Sequence, residues 1–350
     1  MSSTTKFYIK HPTNGSEFVA SDIREPSPGK STVTVGLVIC GDKMPEAFAM
    51  MTSLVLFSRQ VDLDLRIFQN QIFLEQLILR LKELQVTKAT DKTNLSYRIY
   101  DTWFPHDQWH QIWPICSTQR LFFPLLLPDV ENIIYLDADT LFFSNVLDLW
   151  KYFGRMNKTQ FAAMGPDGMP PAKGTYSGAS FPFYGPRGLN SGVLLMNLTR
   201  MREVDFVNEM PMLFRGYGRE LNHGEQDLLN IYFHFHPQFF YLLPCNYNYG
   251  HQLCECDKNG ASGSCACKTA ERSGISILHG CNQQFRSKTL NIFQQVYQFF
   301  SEFNLSNGTL DGLLLRLKQN HAKYKLKSGK CSQLNLTIYS KFEIYVQGKT

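Results

Sequence analysis

The chain reads as an α/β protein with a mostly parallel central sheet flanked by helices on both faces. Two observations carry this. Short apolar stretches alternate with longer stretches of helical spacing through the first half. The run NIIYLDADTLFF (132–143) holds β-branched and aromatic residues side by side, the pattern of a strand covered on both faces. In such sheets ligands sit beyond the carboxyl ends of the strands.

The elements follow in order. Residues 1–31, polar and carrying Pro26, Pro28 and Gly29, read as a flexible stem. TVTVGLVIC (32–40) is the first strand, closed by a loop at Gly41 and Asp42, and 46–57 has helical spacing. A second strand is expected over 63–68, a second helix over 73–84 and a third strand over 96–99. After a loop bearing Trp103, Trp109 and Trp113, 117–127 reads as a helix feeding the aspartate strand. Residues 161–164 and 192–196 are further strands, with a long Gly-, Pro- and Ser-rich loop (169–188) between them. A helix starts near Gln226; beyond Phe285 the chain turns helical and polar, and its last twenty residues read as peripheral. The expected division is a stem (1–31), a catalytic domain (32–300) and a C-terminal peripheral extension (301–350).

At 350 residues, 43% hydrophobic and 13% aromatic, the chain buries a full core. A net charge of +5, without a sustained basic block, disfavours nucleic-acid binding and leaves a phosphorylated small molecule compatible. Nine cysteines, five of them between Cys245 and Cys267, join seven glycosylation sequons at Asn14, Asn94, Asn157, Asn197, Asn304, Asn307 and Asn335. Together they favour the secretory lumen. Asn197, directly after an apolar run, is expected to be partly buried. No stretch reaches the roughly 20 apolar residues of a membrane span, so either an anchor lies outside this chain or the chain is exported otherwise.

Asp137 and Asp139 end the apolar strand. Buried carboxylates cost several kcal/mol unless neutralised, and on an extended backbone residues i and i+2 point the same way, so both reach one cation. Oxygen ligands select Mn²⁺ or Mg²⁺, ions that hold substrate phosphates. A solvated turn is the plain alternative. A haloacid dehalogenase-type phosphatase also carries Asp-x-Asp, but with one residue between the second Asp and its Thr, whereas Thr140 follows Asp139 directly.

Three further segments follow in order: LNSGVLLMN (189–197), GEQDLLN (224–230) and ISILHG (275–280). With LDAD they resemble glycosyltransferase family 8, and within it glucoside xylosyltransferases, along with STQRLFFPLLL (117–127) and PCNYNY (244–249). The resemblance runs from about Thr32 to about Gln284 and implies a GT-A fold of the nucleotide-diphospho-sugar transferase type. It implies Mn²⁺ bound by Asp137, Asp139 and His279. It places Ile39, Cys40, Gly41, Arg120, Asp137, Ala138, Asn190, Ser191, Gly192 and Gly280 against the nucleotide sugar, and Gln226, Asp227 and Glu225 at the reacting carbon. His279 follows the strand-like Ile275–Leu278 and is expected to project from the same sheet edge as the aspartates.

The implied reaction moves xylose from UDP-xylose, with retention, onto O-linked glucose of EGF-like repeats in a Golgi or endoplasmic reticulum lumen, from a type II membrane protein. The departing phosphate accepts the acceptor's proton, and Gln226 steadies charge on the sugar. Competing readings are a family 8 enzyme using UDP-glucose or UDP-galactose, and a lectin-like lumenal binding protein. Two departures stand out. Glu225 replaces the usual aspartate, and HGCNQQFRSK lacks the family's diphosphate-gripping lysine at its usual spacing, leaving Arg286 or Lys288 as displaced candidates. The run CECDKNGASGSCAC (254–267) fits disulfides better than zinc, whose ligands are spaced C-x₂₋₄-C. Cys40, placed in a core strand, is the expected free thiol.

Overall fold

Alternating side chains send the central strands into two separate cores. In β2 (Ser31–Ile39), Val33, Val35, Leu37 and Ile39 enter one core while Val38 enters the other. In β5 (Asn132–Leu136), Ile134 and Leu136 face the first core and Ile133 and Tyr135 the second. A strand apolar at every position thus needs cover on both faces, which the helices supply. The computed structural model describes residues 18–87, 93–105, 109, 117–168, 175–254, 266–287, 291–324, 331 and 334–348.

The other strands are β1 (Phe18–Asp22), β3 (Val61–Gln69), β4 (Leu95–Asp101), β6 (Thr140–Phe142), β7 (Ala162–Pro166), β8 (Leu189–Asn197), β9 (Phe240–Leu242) and β10 (Ile277–His279). Eight form one sheet in the order β1-β4-β3-β2-β5-β8-β7-β9; β10 and β6 form a small antiparallel ribbon. The run β4-β3-β2-β5 is parallel, as is β7-β9, while β1 and both neighbours of β8 pair antiparallel. The sheet is therefore mixed, and its parallel half ends at β5. Because β8 runs opposite to β5, the carboxyl end of β5 lies beside the amino end of β8. There the Asp137 amide donates to the Gly192 carbonyl at 2.8 Å.

Helices α1 (Met44–Leu56) and α2 (Leu74–Gln85) cover the first core. Helices α3 (Phe123–Leu126), α4 (Val146–Trp150), α5 (Leu198–Glu203), α6 (Phe206–Tyr217) and α7 (Glu225–Phe235) follow, with α3, α5, α6 and α7 on the second core. The single helix expected over 117–127 is split. A 3₁₀ segment (Ser117–Phe122) precedes α3, and Pro124 sits in the first turn of α3, where its missing N–H costs nothing. Helices α8 (Lys268–Ser273), α9 (Ile292–Ser301), α10 (Leu310–Tyr324) and α11 (Ser340–Val346) complete the chain.

Both ends are more embedded than their polarity suggests. Of the expected stem, β1 pairs with β4, and the Ser27 amide donates to Asp62 at 2.5 Å. Of the last twenty residues, the described stretch 334–348 is not peripheral. Tyr339, Phe342 and Tyr345 recur at helical spacing and enter the first core; Phe342 stacks edge-on against Phe57. The Tyr345 hydroxyl donates to the Leu56 carbonyl and accepts from the Arg59 amide, each at 3.0 Å. Disulfides Cys245–Cys267 and Cys254–Cys331 pin the region before β10. Cys40 is itself disulfide-bonded, correcting its assignment as the free thiol; among the described residues that is Cys281. Cys40 lies one residue past β2, half-buried at a cleft and not inside the core. Cys256 and Cys265 lie outside the described residues. Asn197 is buried, its carbonyl oxygen capping α5 through the Arg200 amide at 2.8 Å. No described helix is long and apolar enough to cross a membrane.

Candidate active site

The turn after β5 carries both aspartates. Asp137 and Asp139 lie beyond the strand: β5 stops at Leu136 and residues 138–139 form a turn. Three bonds fix that turn. The Asp137 amide binds Gly192 on β8, the Thr140 hydroxyl donates to the Asp137 carbonyl at 2.9 Å, and the Gly280 amide donates to the Asp139 carbonyl at 2.7 Å. His279 comes from the small ribbon, not from the main sheet edge; in β10 it sits opposite Thr140 of β6. The imidazole Nε2 lies 3.6 Å from Asp137 and 3.4 Å from Asp139. One ligand atom from each of the three falls within 4.8 Å of the others.

The surroundings orient these groups. Asn248 donates its amide hydrogens to the Asn190 backbone and side-chain oxygens at 3.0 and 2.8 Å. Its carbonyl oxygen therefore accepts from His279 Nδ1 at 2.8 Å, which leaves Nε2 facing the aspartates, a donor to them when the ring is charged and a ligand atom when it is neutral. Gly192 makes room for the ring, since a Cβ there would stand 2.2 Å from His279 Cε1. Burial opposes charge on His279, yet its hydrogen bond and charge contact with Asp139 raise it above the ordinary histidine value. Burial likewise opposes ionised Asp139, but His279 and Lys43 hold it well below the usual carboxylate range. Two carboxylates and an oriented imidazole form a hard donor set that fits a divalent cation.

A cleft of about 350 Å³ opens over this cluster. Arg120, 1% exposed, anchors its floor. It donates to the Ser117 carbonyl at 2.9 Å, the Ser191 carbonyl at 2.7 Å and Asp137 at 2.7 Å, and lies 3.3 Å from Glu225. Its guanidinium also stacks 3.7 Å over the Tyr135 ring. Glu225 accepts from the Ser117 hydroxyl at 2.5 Å, and burial pushes its carboxyl up despite Arg120. Gln226 takes the Ser191 amide at 3.1 Å and donates to the Tyr176 hydroxyl at 3.1 Å.

Of the residues singled out from sequence, Cys40, Arg120, Asp137, Ala138, Asp139, Asn190, Ser191, Glu225, Gln226 and His279 line the cleft. Ile39 turns its side chain into the first core; strand alternation gives the cleft Val38 and Cys40 instead. Gly41, at φ +60°, makes the turn after β2, and Gly280 is packed tightly by Phe285. Asp227 is corrected as a cleft group. Fully buried, it accepts from the Asn222 and His223 amides at 2.7 Å and from Tyr176 at 3.0 Å, closing the loop before α7. Arg286 pairs with Asp42 and Glu46, and Lys288 lies outside the described residues. Sequence reasoning missed Lys43, Ser117, Asp167 and Asn248 as site residues, although Ser117 and Asn248 lie inside resembling segments. Asp167 is held by the Asn190 amide at 2.8 Å, and burial raises its pKa.

The family model described as Glycosyl transferase family 8 matches residues 44–279. Glucoside xylosyltransferase 2 of Xenopus laevis is 33% identical over 299 residues, covering 81% of this chain and 68% of the frog protein. Glucoside xylosyltransferase 1 of Danio rerio is 34% identical over 310 residues, covering 83% of this chain and 74% of the fish protein. The crystal structure of mouse xyloside xylosyltransferase 1 in its apo form superposes with a TM-score of 0.53 at 18% identity. That match covers 72% of this chain and 98% of the mouse chain, a likeness of fold.

Proposed function

The chain belongs to glycosyl transferase family 8, and from that premise we propose that it transfers xylose from UDP-xylose to O-linked glucose on EGF-like repeats of glycoproteins in the secretory lumen. The observation that carries this reading is the Asp137, Asp139 and His279 cluster beneath a cleft sized for a small ligand. The donor and acceptor follow the names of the relatives, glucoside xylosyltransferases. The disulfides and the six sequons other than the buried Asn197 support the compartment.

In this reading Asp137, Asp139 and His279 would hold Mn²⁺ or Mg²⁺. Such an ion supplies Lewis acidity to the departing diphosphate. Asn248 keeps the imidazole in the coordinating tautomer, and Arg120 fixes Asp137 while neutralising part of its charge. The side chains also bear on stereochemistry. A double displacement needs a free carboxylate as nucleophile, but Glu225 is engaged by Ser117 and Arg120, and Asp227 by two backbone amides. That supports attack on the same face as departure, with the acceptor hydroxyl's proton passing to the leaving phosphate. Gln226, held by the Ser191 amide and lining the cleft, then steadies charge on the sugar without forming a bond to it.

The test is product analysis with UDP-xylose, Mn²⁺ and a glucosylated EGF-like peptide, with and without chelator. Xylosylated peptide that disappears with chelator is expected. Equal or faster turnover of UDP-glucose or UDP-galactose overturns the donor assignment. Peptide binding without turnover of any donor leaves the lectin-like reading standing.

A further inference from the structure

We propose that Lys43 is the cation that grips the diphosphate of the bound nucleotide sugar, and that it does so by leaving Asp139 when a divalent ion takes that carboxylate. The inference rests on the transferase reading above and deepens it. It starts from a departure: after His279 the chain lacks a lysine at the family's spacing, so the charge that faces a diphosphate must come from elsewhere.

Among the described residues, the cations near the cleft differ in what they are free to do. Arg120 is spent, since Nε, Nη1 and Nη2 all donate to protein oxygens and the group is buried. Arg286 is spent too, because its guanidinium bridges Asp42 and Glu46 at the start of α1. His223 lies against Tyr176, at the α7 end of the cleft. Lys43 stands apart. It follows the β2 turn, lines the cleft, and keeps 35% of its side chain exposed. Its ammonium lies 3.4 Å from Asp139 and 3.6 Å from Glu46.

Those distances matter. A charge-assisted hydrogen bond settles at about 2.7–2.9 Å, so both Lys43 contacts are loose. Lysine carries a compact charge on a flexible stem, with three donors that can be re-aimed. A divalent ion on Asp139 would repel the ammonium and take its partner. Glu46 is already paired with Arg286, so the displaced charge gains most from a new anion. A diphosphate bound to the same ion is that anion, within a side chain's swing of Asp139. Lys43 thus neutralises first the carboxylates of the cluster and then the nucleotide, which makes it a competitor of the metal and a partner of the phosphate.

The dual role predicts effects of opposite sign from one substitution, which a merely structural residue would not give. Titration calorimetry is run on the whole chain and on Lys43→Met with MnCl₂ alone, with UDP in saturating Mn²⁺, and with uridine in saturating Mn²⁺. In Lys43→Met, Mn²⁺ is expected to bind about threefold tighter. UDP is expected to bind about tenfold weaker, uridine equally well, and Lys43→Arg to recover part of the UDP affinity. Unchanged UDP affinity, or equal loss for UDP and uridine, overturns the proposal. So does a loss of UDP affinity in Lys288→Met with none in Lys43→Met. A wild-type chain that binds neither Mn²⁺ nor UDP defeats the transferase reading instead, and the two failures are told apart before any variant is made.

Discussion

On β3 and β4, Asp64 accepts from Arg66 at 2.9 Å and from Arg98 at 3.0 Å, and Arg66 reaches Asp129 at 3.0 Å. At the end of β5, Asp137 and Asp139 face a histidine and a lysine at 3.4–3.6 Å. Both places gather two aspartates against cationic groups, and both include a tyrosine hydroxyl, Tyr100 in the first and Tyr135 in the second. In the first, two planar guanidiniums match two carboxylates at hydrogen-bond distance and the charge is closed. In the second, Arg120 closes one Asp137 oxygen at 2.7 Å, but the other carboxylate oxygens face only a titratable ring and a movable ammonium at 3.4–3.6 Å, so they keep capacity for a stronger cation. The pairing of acid with base is common to both; the distance and hardness of the partner mark the site.

Exchanging one aspartate in each cluster breaks the comparison most sharply. Asp139→Asn is expected to lower donor turnover by about three orders of magnitude with no loss of thermal stability. Asp64→Asn is expected to keep turnover and cost about 2 kcal/mol of stability by urea unfolding. Similar phenotypes from both would erase the distinction between a closed ion pair and an open site.

A finer test leaves every charge in place. In Gly192→Ala the new methyl group meets the His279 ring, so the imidazole must leave the aspartates. Mn²⁺ affinity is expected to fall about 100-fold while the far-ultraviolet circular dichroism stays the same. Unchanged Mn²⁺ affinity would show that the ring is not needed for the ion.

The smallest effect concerns the closed cluster in acid. Burial would raise the Asp129 pKa, but the hydrogen bond and charge of Arg66 outweigh it and hold the group below the ordinary 3.8. Its contribution to stability is present above that value and is lost as pH falls through the lower folded value. The urea midpoints of wild type and Asp129→Asn are therefore expected to differ near neutrality and to converge as the pH drops below about 3.8. A gap that persists in acid would assign the effect to packing.

How legible the molecule was depends on how far apart its parts lie in the chain. β2, β3, β5 and β8 and helices α1, α2 and α7 were readable to within a few residues, because apolar periodicity is a local property. The C-terminal segment also carried a signal, in the spacing of Tyr339, Phe342 and Tyr345, but the polar residues between them diluted it. Asp167 and Lys43 gave none, for a single polar residue in a loop has no pattern until the chain folds around it. Cys40 misled because a cysteine at a strand end reads the same whether buried alone or bonded to another.

The sequence by itself settled that two carboxylates end an apolar strand, that this strand is covered on both faces, and that a histidine ends another strand far along the chain. It did so because strand burial and the placing of a turn are decided by neighbouring residues. Only the tertiary structure decided that β8 runs against β5, that a separate ribbon delivers His279, and that Asn248 fixes its tautomer. Each of those depends on a contact between residues 30 or more positions apart, such as His279 with Asn248 or Asp137 with Gly192. Such distances close only when the whole core packs, and no local pattern records them.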